Sequence, residues 1–518
     1  MPRRHNKSAA GALAAALFLV AAPCAAQEAN GVATNSEAAV ATPEPTTVDG
    51  ALSEVTVVTG DAAGAGPLGG IGDEGTPAQT DPRALGGIGD EPRPEEEEEE
   101  EALPRFGLRP VGDETYRSIP GTQTLSQYTP FAPDRHDLDP YVPLGIRLGS
   151  FLLYSEAEIG TVLTDNVLAT PTDERSDVAF ELAPEFRLES DWSRHFFGAY
   201  FDADRTWYKK FPIVDDKNYN AILRGRVDVT RRTNLGLELG KSQAEGGPNT
   251  INLTDITGVT TSLQEQHILA NAEHRFNRLT LDLTGSVADY DYSDLSGDDD
   301  LGAIPFQDVN DYLERELKLR GTYELKPELS VFVEGAISER DYREPLAVPG
   351  LRHDTSGFDV QTGLIFGLPG TLTGEIGIGW GEQTPIDNAF SPVEGFLLNA
   401  DLIWMPTPMT KLEFIARSEI SPTTLIDSVG ATDRFYELSL QHAFYRYLVL
   451  GAYVSYEVAD WVDIPQVDER LKEGVTAEYY FNEYLSVYGR FEHTDFTSTV
   501  ADTDFDENEV RLGVRVRR

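Results

Sequence analysis

Charged side chains recur at every second position along many short stretches of this chain, with apolar residues between them. In Leu313–Tyr323, for example, Glu316, Lys318 and Arg320 alternate with leucines. Successive side chains of a β-strand point to opposite faces, so such a stretch has one apolar and one charged face. Carboxylates and guanidinium groups gathered on a water-facing surface can bind and select ions, which is the chemistry of a lined aqueous channel.

The same alternation assigns the charged residues of the other stretches to one common face. If that face encloses water, its charges are candidates for lining a pore and setting its ion preference. We leave open the alternative that they pair across strands and fill a plugged lumen. The candidate pore-lining residues are Arg187, Arg224, Arg226, Glu238, Glu314, Glu316, Lys318, Arg320, Glu375, Glu413, Arg417, Glu478, Arg490, Glu492, Arg511 and Arg515.

The elements that carry these charges repeat from about residue 141 to the C-terminus, and short turns alternate with long polar loops between them. Turns and loops are sorted in this way in transmembrane barrels, whose periplasmic turns are short and whose outer loops are long. The fold class predicted is all-β, an antiparallel transmembrane β-barrel of about 18 strands, with 16 possible, preceded by a disordered segment. With an even number of strands, the first strand begins and the last strand ends on the same side of the membrane, so we expect both chain termini and the N-terminal segment to lie in the periplasm.

The N-terminal region differs in composition from the repeats. Residues 1–26 combine basic residues, a short apolar stretch and small residues before Gln27, which predicts a secretory signal peptide that takes Cys24, the single cysteine, with it. Residues 27–140 are rich in Ala, Gly, Pro and Glu, which predicts disorder. The acidic run Glu95–Glu101 and a repeated LGGIGDE motif leave open a second function, docking of a periplasmic partner.

The acidic balance restricts the possible partners. The chain has 42 basic and 87 acidic residues and a net charge of −45, so nucleic acid is excluded as a partner because its recognition needs a basic footprint. The expected partners are outer-membrane lipid, lipopolysaccharide and the barrel assembly machinery, with a homo-oligomer possible. Aromatic residues near strand ends predict girdles at the two membrane interfaces: Tyr154, Trp192, Trp207, Tyr208, Tyr290, Trp404, Tyr445, Trp461 and Tyr484.

An enzyme is the least favoured interpretation. The chain has no G-x-S-x-G, no H-E-x-x-H and no cysteine pair, and several of its histidines fall beside predicted turns. We therefore expect no catalytic residues, no cofactor and no metal site. The predicted function is passive diffusion of small hydrophilic solutes or ions, and the alternatives are an interaction barrel, polysaccharide export or, last, a barrel protease or lipase.

Four segments resemble a known family: Leu148–Tyr154, Ser190–His195, Arg226–Thr233 and His274–Leu279. They are similar, in the same order, to turn and strand segments of the putative beta-barrel porin 2 family. The resemblance runs from about residue 144 to the C-terminus, implies an outer-membrane β-barrel and does not name a cargo. The chain ends in Val516-Arg517-Arg518 rather than in the aromatic residue that often guides the assembly machinery.

Overall fold

The computed structural model describes residues 138, 141, 143 and 145–518, with gaps at 247–260, 293–309, 346–350, 369–371, 424, 426 and 502. The predicted signal peptide, the repeated motif and the glutamate run lie outside the described residues. In the described part of the chain, no helix is long and apolar enough to cross a membrane. The strands are β1 (Ile146–Leu148), β2 (Phe151–Thr164), β3 (Asp177–Ser190), β4 (Phe196–Tyr208), β5 (Asp216–Thr230), β6 (Thr233–Gly246), β7 (Thr261–Phe276), β8 (Leu279–Tyr292), β9 (Tyr312–Lys326), β10 (Leu329–Tyr342), β11 (Thr355–Leu368), β12 (Leu372–Pro385), β13 (Val393–Thr407), β14 (Thr410–Ser421), β15 (Ala431–Tyr445), β16 (Leu448–Trp461), β17 (Val467–Asn482), β18 (Leu485–Ser498) and β19 (Phe505–Arg517).

Strands β2 to β19 form one closed barrel. Each pairs antiparallel with the next along the chain, and β19 closes the ring by pairing with β2 from Glu509↔Thr164 to Arg517↔Glu156. Closure leaves no unpaired sheet edge, which a bilayer would not tolerate. The predicted antiparallel barrel of 18 strands is confirmed, and the short β1 is an addition that pairs with the first residues of β2.

The connections differ strongly between the two ends of the barrel. At one end most turns have two residues, as between β5 and β6, β7 and β8, and β9 and β10. At the other end lie the longer connections, such as 165–176 and 343–354. We call these ends the short-turn rim and the long-loop rim. The sorting follows the predicted pattern, and both β1 and the C-terminal residue lie at the short-turn rim.

The two faces of the wall differ in polarity at every strand. On β6, Leu237 is 49 % exposed whereas Glu238 is 2 % exposed. On β10, Val333 and Ile337 point outward and are 60 % exposed, whereas Glu334 points into the lumen and is buried. A soluble protein would not leave so many large apolar side chains uncovered. They form the hydrocarbon-facing surface of a transmembrane barrel, and the polar residues fill its interior.

Part of the predicted aromatic girdle is wrong. Trp404 and Tyr445 are exposed on the outer face near the short-turn rim, as a girdle requires. Tyr154, Tyr290 and Trp461, however, point into the lumen and are 3 or 4 % exposed. Nearness to a turn fixes the depth of a side chain but not its face, which is set by its odd or even position in the strand.

Candidate functional site: the charged inner wall

The candidate site is the set of side chains that face the lumen, which we call the inner wall. Every candidate pore-lining residue of the sequence lies on this wall, opposite the exposed apolar face of its strand. Seven of them are buried among their neighbours: Arg187, Glu238, Glu314, Arg320, Glu478, Glu492 and Arg515. The rest are partly exposed to the lumen: Arg224, Arg226, Glu316, Lys318, Glu375, Glu413, Arg417, Arg490 and Arg511.

Arg320 connects strands that are not neighbours in the sheet. Its guanidinium on β9 lies 2.7 Å from the carboxylate of Glu375 on β12 and 3.4 Å from that of Glu334 on β10. The same group stacks 3.8 Å from the ring centroid of Phe332. The wall must curve sharply between β9 and β12 for these groups to meet. Arginine suits such a position because its planar group donates several hydrogen bonds and packs on aromatic rings.

Arg515 on the last strand holds three carboxylates. Its nitrogens lie 2.9 Å from Glu156, 2.8 Å from Glu158 and 2.6 Å from Glu478. Because Glu156 and Glu158 belong to β2, this cluster bridges the seam where the barrel closes. Removing one member of a buried charged cluster leaves the others uncompensated, which is strongly destabilising.

Most of the remaining candidates also take part in ion pairs along the wall. Arg224 pairs with Glu238, whose second oxygen lies 3.0 Å from Nε2 of His267. The pairing opposes the idea that these arginines act as isolated anion sites. Further pairs join Glu314 to Arg340, Glu316 to Lys318, Arg226 to Asp228, Glu413 to Lys411, Glu492 to Lys472, Arg490 to Glu509, Arg511 to Glu181 and Arg187 to Glu189.

One sector of the inner wall is strongly acidic, and the sequence reasoning missed most of it. On β2 and β4 the inward charges are all carboxylates: Glu156, Glu158, Asp202 and Asp204. The side-chain amide of Asn218 donates to both Asp204 (2.9 Å) and Asp216 (3.0 Å). An amide donor satisfies a carboxylate without neutralising its charge. The strict alternation along β4 could have revealed Asp202 and Asp204, since they occupy even-numbered positions of the strand, as the buried, lumen-facing Thr206 does.

A crevice of about 400 Å³ opens between the charged groups on the inner wall. Arg224, Arg226 and Arg320 line it together with the carboxylates of Glu238, Glu273, Asp282 and Glu375, and with Asn234, Asn271, Thr280 and Thr322. Both signs of charge are present, so the crevice has the character of a mixed, hydrated surface. It is large enough for several waters or one small polar solute.

Inward glycines accommodate large side chains of the neighbouring strand. A Cβ on Gly474 would lie 2.2 Å from the ring of Tyr453, and one on Gly240 would lie 2.1 Å from the ring of His267. The glycines therefore let these rings lie flat against the wall. The hydroxyl of Tyr453, held in this way, donates a hydrogen bond to the carboxylate of Glu492.

Two histidines beside turns have structural partners. Nδ1 of His274 lies 2.9 Å from the hydroxyl of Thr233, and Nδ1 of His442 lies 2.9 Å from that of Thr410. In both places the threonine also contacts a second threonine across the two-residue turn. Among the described residues, no group of three or more His, Cys, Asp or Glu side chains is arranged to hold a metal ion.

Comparison with known proteins identifies one family. The model of the putative beta-barrel porin 2 family matches residues 139–518. Comparison with curated proteins gives no significant match. Among solved structures, Pseudomonas aeruginosa OpdL is 12 % identical with a TM-score of 0.37, and the alignment covers 71 % of this chain and 99 % of OpdL. A BenF-like porin from Pseudomonas fluorescens Pf-5 is 8 % identical with a TM-score of 0.39, and the coverage is again 71 % and 99 %.

Proposed function

The chain belongs to the putative beta-barrel porin 2 family, and we propose that it is an outer-membrane channel for the passive diffusion of small hydrophilic solutes, with a preference for cations. The observation that carries the proposal is the inner wall, a closed ring of eighteen strands whose lumen-facing side chains are mostly charged or polar. Barrels of this strand number enclose an aqueous channel unless a loop or domain blocks them.

The cation preference is inferred from how the charges are distributed. Most arginines and lysines of the inner wall are held in ion pairs, so each of these contributes little net positive potential to the lumen. Strands β2 and β4, in contrast, direct only carboxylates among their charged side chains into the lumen, and the amides of Asn218 and Asn220 donate to those of β4. A sector with an excess of carboxylates favours cations in a pore, and the net charge of −45 acts in the same direction at the mouths.

We further propose that the short-turn rim faces the periplasm and the long-loop rim faces the outside, which places both chain termini in the periplasm. The support is the sorting of the connections, because outer-membrane barrels have short periplasmic turns. Labelling of a cysteine introduced at Arg231, in a turn of the short-turn rim, tests this orientation. The residue should react with a membrane-impermeant maleimide only after the outer membrane is opened, and labelling on intact cells would contradict the orientation.

The experiment that tests the function is conductance in planar bilayers. Refolded full-length protein, shown to be folded by its heat-modifiable mobility in gel electrophoresis, should give discrete ion channels. Under a potassium chloride gradient, the reversal potential should have the sign of a cation-selective pore. Folded protein that gives no channels would contradict the proposed channel function. An anion-selective reversal potential would contradict only the proposal that the inner-wall carboxylates make the channel prefer cations.

A further inference from the structure

The segment before β1 lies inside the barrel at the short-turn rim. Leu138 packs against Val449 of β16 and Tyr480 of β17, which both point into the lumen and are both 2 % exposed. Met405 and Ala443 border the same contact. This part of the inner wall is apolar, whereas charged side chains line much of the rest. An apolar patch inside a water-filled channel needs an apolar cover, and the segment supplies it.

A second set of contacts ties this segment to the end of the chain. The guanidinium of Arg517, on β19, donates a hydrogen bond of 2.9 Å to the backbone carbonyl of Tyr141. It also lies 5.2 Å from the ring centroid of Tyr480, and the ring of Tyr141 lies 6.4 Å from that of Tyr480. The segment therefore follows the inner wall from β16 past β17 to β19, and Pro143 within it is completely buried.

A third contact fixes the segment at the seam of the barrel. The end of the chain pairs with β2 only from Ser155 onward, so residues 151–154 would otherwise have a free edge. Residues 146–148 of β1 pair with residues 151–153 of β2 and cover that edge. Gly145 makes the approach possible. It has φ +67°, and a Cβ there would lie 2.6 Å from the ring of Tyr154.

From these contacts we propose that Leu138, Tyr141 and Pro143 form a strap on the inner wall at the short-turn rim, which β1 continues along the edge of β2. The strap narrows this mouth of the channel and locks the seam between the first and last strands. Its narrowing effect rests on the proposed channel function, but its location does not.

Cross-linking tests the location independently of transport. In a full-length Cys24→Ser background, the double variant Leu138→Cys with Val449→Cys should form a disulfide under mild oxidation of the refolded protein. The matched control, Leu138→Cys with Leu450→Cys, should not, because Leu450 occupies the adjacent, outward-facing position of the same strand. Absence of the first disulfide, or formation of the second with equal yield, would overturn the location.

Conductance tests the narrowing. Leu138→Asp should release the strap from its apolar patch and raise the single-channel conductance, while Leu138→Met should leave it unchanged. The oxidised Leu138→Cys, Val449→Cys protein should conduct like wild type, since the bond fixes the strap where it already lies. A folded Leu138→Asp protein with wild-type conductance would overturn the narrowing. If wild type gives no channels at all, the proposed function and the narrowing both fail, while the cross-link still decides the location.

Discussion

The inside and outside assignment can be tested by placing one charge on either face of β9. Leu319 is the eighth of the 15 residues of this strand and is 53 % exposed on the outer face. Seven residues at roughly 3.4 Å each, tilted by about 40°, place it about 18 Å from either rim along the membrane normal, near the middle of an apolar band about 25 Å tall. Leu319→Arg therefore puts a guanidinium at the bilayer midplane, which costs about 2–4 kcal/mol.

The matched control is Thr322→Arg, three residues along the same strand. Thr322 faces the lumen and lines the polar crevice, where four carboxylates (Glu238, Glu273, Asp282 and Glu375) outnumber three guanidinium groups (Arg224, Arg226 and Arg320). The new guanidinium therefore meets water and a surface of net negative charge. Its expected effect is under about 1 kcal/mol, the usual size for a solvated ion pair. Glu238→Arg would be a poorer control because Glu238 already pairs with Arg224, and the change would set two cations side by side.

The assay is reversible urea unfolding in phospholipid vesicles, with the folded fraction read from heat-modifiable mobility. A cost of 2–4 kcal/mol corresponds to roughly a 30- to 800-fold decrease in the folding equilibrium constant, since about 1.4 kcal/mol is tenfold. Leu319→Arg should therefore unfold at clearly lower urea, and Thr322→Arg close to wild type. Equal losses in both variants, or a larger loss in Thr322→Arg, would refute the assignment of the two faces.

Three further changes test the packing and charge of the inner wall. Gly474→Val should lower the unfolding midpoint in urea because the new side chain displaces Tyr453. The control, Gly225→Val, should be near neutral because its Cβ would meet nothing within 4 Å. Equal effects of the two substitutions would contradict the role of Gly474 in packing. Arg320→Gln should lower the urea midpoint, because it leaves Glu334 and Glu375 without this arginine, and in the protein that folds it should shift the reversal potential further toward cations. A shift toward anions would show that the carboxylates do not face the permeating ions. Burial raises the pKa of Asp311, just before β9, to about 6 from an ordinary value near 4. The folded protein therefore binds this proton more tightly than the unfolded protein does, and its stability should decrease as pH rises from about 4 to 6. Asp311→Asn should flatten that pH dependence of the urea midpoint, and an unchanged slope would assign it to another group.

The strands and their faces were predictable because both signals are local. Alternation with a period of two needs only neighbouring residues, and turn lengths need only the gaps between strands. The misplaced girdle residues show the limit of arguing from position alone. Tyr290 lies near the end of β8, but it occupies an even-numbered position, as the buried Thr284 does. Following the alternation along this strand would therefore have placed Tyr290 inside the barrel.

The contacts that shape the site depend on curvature, which no local pattern contains. Arg320 and Glu375 are 55 residues apart, and two strands lie between theirs. Only the bend of the wall between β9 and β12 brings them to 2.7 Å. The contact of Leu138 with Val449 spans an even longer separation and joins a segment predicted to be disordered to the inner wall. Leu138 lies at the end of that segment, and Tyr141 and Pro143 follow directly after it. Three apolar or aromatic residues are a compositional signal too short to stand out.

Stability and selectivity should therefore depend on different parts of the inner wall. Where a guanidinium bridges several strands, as Arg515 does at the seam, its removal leaves buried carboxylates uncompensated, so the first effect is on folding. Where carboxylates bond to amides, as Asp204 does with Asn218, replacing aspartate by asparagine removes a charge while keeping an acceptor oxygen. Asp204→Asn should therefore cost less stability than loss of Arg515 while it weakens the preference for cations. In the channel that we propose, the paired cations of the inner wall hold the barrel together and its acidic sector sets the ion preference.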